Sequence, residues 1–132
     1  MSNRTTTITW IGILLLAITG IIHFIDAPDS FDEATYKGVL FLLNGVGAIV
    51  AAYGIFQGSR SWGWTLGLLV AAGAFIGYAL SRTVGLPQLP AEPDEWFEPL
   101  GIASFVAEGL FVVVYLWLLS AKPSPAKPML KA

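Results

Sequence analysis

Cysteine is absent from this 132-residue chain, and histidine occurs once, at His23. The first absence excludes disulfides, thiolate metal sites, iron–sulfur clusters and a cysteine nucleophile. The second excludes bis-histidine haem ligation or a multi-histidine zinc site within one copy. Charge is scarce as well. Asp, Glu, Lys and Arg make up 12% of the residues, against roughly 25% in a water-soluble domain. With 55% of the residues hydrophobic, too little polar surface remains to cover a body standing in water. That balance excludes an ordinary cytosolic domain and a disordered tail. A net charge of −2 with scattered basic residues excludes a nucleic-acid partner.

What the chain has instead is long apolar runs. Residues 8–25, 38–56, 62–80 and 100–119 each approach the ~20 residues that cross a ~30 Å hydrocarbon core. They are too long and too uniformly apolar for strands of a membrane barrel. Backbone groups in lipid then need partners within their own helix. The expected fold class is all-α, a polytopic four-helix transmembrane bundle embedded in the lipid bilayer. Residues 1–121 form one domain and 122–132 a Pro- and Lys-containing tail. Breaks are expected at Ala27-Pro28-Asp29-Ser30, Gln57-Gly58-Ser59 and Gly85-Leu86-Pro87.

Five cations, Arg4, Arg60, Lys122, Lys127 and Lys131, fall on the side of the termini and the second connection. Only Lys37 and Arg82 fall on the other. The positive-inside rule then places both termini in the cytoplasm. Asp26, Asp29, Asp32, Glu33, Glu92, Asp94, Glu95 and Glu98 make the opposite surface acidic. Trp10, Trp62, Trp64 and Trp117 near the inner ends, and Trp96 near the outer one, match interfacial aromatic belts. The first run, at ~18 residues, exceeds the 7–15 apolar residues of a signal peptide, so an uncleaved anchor is expected.

Small residues recur at helix-packing spacing: Gly47-x-x-x-Ala51, Gly63-x-x-x-Gly67 and Gly73-x-x-x-Gly77. They point to span three as the central packing helix. They also offer Gly/Ala faces through which a larger membrane complex or a second copy could associate.

The residues that four anchoring helices do not need are the informative ones. Glu108 lies ~14 Å below the outer end of span four at 1.5 Å per residue, near the midplane, where a carboxyl is expensive and turns toward the bundle or water. Gly101, Ser104 and Glu108 share its face, while Val106, Leu110 and Val113 suit lipid. By the same measure Asn44 lies ~10 Å deep, Thr19 ~9 Å, Tyr78 ~6 Å and His23 ~3 Å, with Arg82 at the boundary. Gly12, Leu16, Thr19 and His23 line one side of span one; Ala71, Ala74, Tyr78 and Arg82 line one side of span three. This reads as a polar ladder from the outer surface to the middle, with no continuation below Glu108. A conducting path needs stations across the full thickness, so the ladder points to a one-sided, outward-facing pocket. The structural alternatives are a Glu108 carboxyl bonded to Asn44 or to a backbone carbonyl, a His23 bonded to Asp26, and an Arg82 paired with Glu98, another loop carboxylate or a lipid phosphate. His23 with nearby carboxylates falls short of a divalent-metal ligand set. No metal and no cofactor is assigned.

The run Ser81-Arg82-Thr83-Val84-Gly85-Leu86-Pro87, with Gly20-Ile21-Ile22-His23, Ala27-Pro28 and Glu108, resembles a loose group of small four-span prokaryotic membrane proteins of unassigned function. The likeness covers roughly residues 20–109. It implies the architecture and a prokaryotic plasma membrane, and no activity. Members of that group carry an acidic residue and a histidine after Ala-Pro; Asp29-Ser30 stands there in this chain, which argues against a two-histidine metal site. The run also reads as a helix terminator, with Gly85 in a left-handed cap, Pro87 preventing continuation and Arg82 facing the negative end of the dipole. The leading expectation from these features is a non-enzymatic accessory or assembly subunit or small membrane binding protein. The alternative is an outward-open site for a small cation, proton or lipid-like ligand built on Glu108, Asn44, His23 and Arg82. No nucleophile–base pair stands at usable spacing.

Overall fold

The structure, a computed structural model, describes residues 3–58 and 61–120. Its elements are α1 Asn3–Glu33, α2 Thr35–Phe56, α3 Trp62–Thr83 and α4 Pro99–Ser120, with a short 3-10 turn at Pro93–Glu95 in the last connection. All four helices are long and apolar enough to cross a bilayer, and the described residues contain no strand. The fold is that of an all-α, multi-pass membrane protein. The expected tail, Arg60, Lys122, Lys127 and Lys131 lie outside the described residues, as does the side chain of Arg4.

The first helix departs most from the sequence expectation. The break at Ala27-Pro28-Asp29-Ser30 does not occur. Helix α1 runs through Pro28 to Glu33, and Ala34 alone, extended at φ −164° and ψ 139°, separates it from α2. The cause is tertiary. Ala27 and Ser30 are buried, and the ring of Phe31 lies over Gly38, where any Cβ would overlap it. Lower on the same seam Phe24 covers Gly45 and Gly20 faces Ala48, so α1 and α2 form the most extensive helix pair. Continuing that seam outweighs the single backbone bond that Pro28 removes, a trade that packed neighbours permit in membrane helices.

The helices form a ring in chain order. Helix α1 packs on α2 and α4, and α3 does the same from the opposite corner; α1 barely touches α3, and α2 does not meet α4. Helix α3 is therefore not the centre. Its Gly63 and Gly67 approach α2 and the side chains of Phe111 and Leu16, but a Cβ at Gly73 or Gly77 would meet nothing within 4 Å. The half of the ring that holds the start of α1 and the end of α4, termed the inner half, is filled, and the opposite half is termed the outer one. Trp64 stacks on Phe111 with centroids 5.3 Å apart, among Leu16, Ala48, Ala51, Ile55 and Ala71. Trp64, 6% exposed, is thus a core residue and not an interfacial anchor, because Gly12 leaves the space that its ring fills. Trp10, Trp62 and Trp117 face outward, as do Val106, Leu110 and Val113.

Residues 84–98 fold across the outer end. Gly85, at φ 90°, terminates α3 with its N–H donating to Leu80 O at 2.7 Å, in the left-handed region that glycine occupies without penalty. The chain then returns: Glu92 N–H donates to Ser81 O at 2.9 Å and the Tyr36 hydroxyl of α2 donates to Pro87 O at 2.5 Å. The open diagonals of the ring, covered at one end by this connection, leave a cavity in the outer half.

Candidate functional site: a one-sided polar cavity

The cavity has a volume of about 750 Å³, within the range of small-molecule sites. Asp26, Asp29 and Glu33 of α1 and Glu92, Glu95 and Glu98 of the connection line it, with Lys37 and Arg82 the two cations. These positions stand at its outer mouth. Ile22, Leu40 and Phe41 supply apolar wall, Gly73 and Gly77 leave room on α3, and His23, Asn44, Ser104 and Glu108 line its deep end.

The deep end is tightly organised around one carboxylate oxygen. Thr19 Oγ1 donates to Glu108 Oε2 at 2.6 Å, and Ser104 Oγ, one turn before Glu108, donates to the same oxygen at 2.5 Å. The two hydroxyl oxygens stand 3.0 Å apart. His23 Nδ1 lies 2.7 Å from Thr19 O; a carbonyl only accepts, so Nδ1 carries the hydrogen and Nε2 is left facing Glu108 Oε2 at 3.8 Å. Glu108 and Thr19 are each 1% exposed. The Glu108 carboxyl is thereby held by α1 and by its own helix, not by Asn44, and His23 turns to Glu108 and not to Asp26.

The extension of α1 also reshapes the depth profile. His23 is ten residues from the outer end of its helix, and Asn44 and Glu108 are nine from theirs, which places all three about 14–15 Å down. The expected ladder is a layer. The shallow depth that the sequence implies for His23 follows from ending α1 near residue 25.

Asn44 joins that layer but serves another partner. Its Nδ2 donates to Val70 O of α3 at 3.0 Å, and its buried Oδ1 has no hydrogen-bond partner. Tyr78 and Arg82 belong to the mouth. The Tyr78 hydroxyl donates to Trp96 O at 2.7 Å. Arg82 Nε donates to Glu95 O at 3.0 Å and Nη1 to Ser81 Oγ at 3.0 Å, with the guanidinium 4.3 Å from the Tyr78 ring. Both side chains pin the connection. Glu98 does not pair with Arg82; it caps α4, accepting from Gly101 N–H at 2.6 Å and Leu100 N–H at 3.3 Å, where a carboxylate complements the helix dipole. Pro99 at the first helical position was the available signal for that cap.

Phe41 was missed at the sequence level. Its ring lies 4.9 Å from His23 and 5.7 Å from the Lys37 ammonium. Lys37, Phe41 and Asn44 fall at i, i+4 and i+7 of α2, a helical stripe that the period of 3.6 makes legible.

The chain matches the family of unknown function DUF7475 over residues 1–119, a stretch that includes all these positions. It belongs to that family. No curated protein and no solved structure matches it. This member of DUF7475 combines a closed apolar half on the side of the α1 start and α4 end with a polar cavity in the opposite half.

Proposed function

We propose that the protein binds a small molecule within the membrane, through a site that opens only to the exterior, in a prokaryotic plasma membrane with both termini cytoplasmic. The observation that carries the reading is the one-sided cavity of about 750 Å³, polar at its deep end around Glu108 and sealed beneath by the Trp64–Phe111 stack. Buried polar groups in lipid are costly and mark functional positions. A conduction or full transport path would need polar stations through the inner half, where Leu16, Phe111 and Trp64 are packed together. Binding has more support than catalysis, because the Thr19 and Ser104 hydroxyls both donate to the carboxylate, and His23 Nδ1, 3.3 Å from Thr19 Oγ1, carries its hydrogen toward Thr19 O and cannot take the hydroxyl proton. The Gly-x-x-x-Gly motifs of α3 do not offer an accessory subunit a free association face. Gly63 and Gly67 are engaged inside the chain, and Gly73 and Gly77 border the cavity. The five-to-two distribution of cations supports the orientation. The resemblance of the Ser81–Pro87 run supports the prokaryotic setting.

The test is a cavity-filling variant. Gly77→Leu places a side chain where a Cβ meets nothing within 4 Å, so the fold is expected to persist while the cavity shrinks. Native mass spectrometry of both proteins, extracted from the membrane with mild detergent, should show a bound small mass on wild type that Gly77→Leu lacks. Identical spectra for the two would overturn the reading.

A further inference from the structure

We propose that the occupant of the cavity is a primary organic ammonium carrying an apolar or aromatic arm; this rests on the binding reading above and specifies its ligand. The deep layer is unbalanced in hydrogen-bond capacity. Each donor atom already serves the protein: Thr19 and Ser104 hydroxyls on Glu108 Oε2, His23 Nδ1–H on Thr19 O, and Asn44 Nδ2 on Val70 O through one of its two N–H groups. Acceptors remain. Among the described residues nothing bonds Glu108 Oε1, since every contact of that carboxyl goes to Oε2. Asn44 Oδ1 is buried without a partner, and His23 Nε2 stands 3.8 Å from the carboxylate, beyond hydrogen-bond reach.

The residues that carry these three unfilled acceptors come from α4, α2 and α1 at one depth and line one cavity. A primary ammonium is their complement, with three N–H donors and no acceptor. The mouth favours the same sign of charge. Six carboxylates stand there against two cations, and Lys37 is already bridged to Glu33 at 2.5 Å, so the field attracts and concentrates a cation. Size decides between an inorganic and an organic one. The described residues hold no group of three His, Cys, Asp or Glu side chains arranged for a metal ion, and 750 Å³ far exceeds a bare ion. Ile22, Leu40 and Phe41 give the rest of the molecule an apolar wall.

The probe is 2-phenylethylamine, compared with 2-phenylethanol and with the N,N,N-trimethyl form of the amine. The first analogue lacks charge; the second keeps the charge and lacks every N–H. Thermal unfolding would be followed in phosphatidylcholine nanodiscs, whose own headgroup has no N–H donor. The amine should raise Tm in a concentration-dependent way, with both analogues at least tenfold weaker. Asn44→Leu and Glu108→Gln should each weaken the amine at least tenfold, and Gly77→Leu should abolish its effect. Asn44→Leu keeps the test available if Glu108→Gln does not fold. Adding phosphatidylethanolamine to the discs distinguishes the source of the ammonium: competition assigns it to a lipid headgroup, and no competition to a free amine. Either analogue binding as tightly as the amine would overturn the proposal. Failure of the amine alongside a native mass that Gly77→Leu removes would overturn it and leave the binding reading in place. Failure of both would remove the two together.

Discussion

Alanine at Gly63 and alanine at Gly77 should move stability in opposite directions, although each glycine sits in a Gly-x-x-x-Gly motif of α3. A Cβ at position 63 would lie 2.7 Å from Ile55 N and 2.8 Å from Gly54 C. Favourable carbon contacts begin near 3.5 Å, so α2 would have to retreat by roughly 0.7 Å, and a backbone cannot rotate out of the way as a side chain can. Overpacking of this kind costs about 1–3 kcal/mol. Alanine regains about 0.8–1 kcal/mol of helix propensity over glycine, so the net at Gly63 is a loss of up to about 2 kcal/mol. At Gly77 an added Cβ would meet nothing from the neighbouring helices within 4 Å, and the propensity gain of about 1 kcal/mol stands alone. The two variants should therefore differ by roughly 1–3 kcal/mol. Unfolding by sodium dodecyl sulfate in mixed micelles, followed by far-UV circular dichroism, measures the difference. Equal midpoints, or a Gly63→Ala protein more stable than Gly77→Ala, would refute the backbone contact between α2 and α3 on which the reasoning rests.

Pro28→Ala restores the N–H that α1 lacks for its bond to the Phe24 carbonyl. An interior proline costs a helix about 3 kcal/mol, so the same titration should show a gain of about 1–3 kcal/mol, and no gain would mean that the helix does not continue through residue 28. Thr19→Val removes one hydroxyl donor from the Glu108 carboxylate without changing side-chain volume greatly. A loss of about 0.6–1.7 kcal/mol is expected from the range for such bonds in membranes. It should shrink when Glu108→Gln is already present, and full additivity of the two changes would argue against the contact. Topology can be read by cysteine labelling, since the chain has no native cysteine. Phe97, 84% exposed, is the suitable outer position, because Ser30 at 3% is buried. A membrane-impermeant maleimide should label Phe97→Cys in intact cells and Gln57→Cys only after lysis, and the reverse pattern would invert the orientation.

Several features of this fold could be read from local chemistry. Lipid offers the backbone no partners, so four apolar runs of spanning length had to become four helices. The 3.6-residue period alone put Thr19 with His23 and Ser104 with Glu108 on shared faces, and all four are buried. Gly85 announced a left-handed cap and has φ 90°. Each of these depends on residues within a turn or two of one another.

Tertiary structure decided what those faces meet. Pro28 is a helix breaker by its own chemistry, yet the Phe31–Gly38 seam carries α1 past it, and that shift of two turns converts a polar ladder into a layer. The two Gly-x-x-x-Gly motifs of α3 are indistinguishable by spacing, but one packs and the other borders a void. Trp64 sits near a helix end like Trp62, and only the gap at Gly12 draws it inside. The reason is the same in each case. Periodicity specifies the rotation of a helix about its own axis, whereas contact depends on the axial offset and on which neighbour lies opposite, and those are properties of the assembled ring.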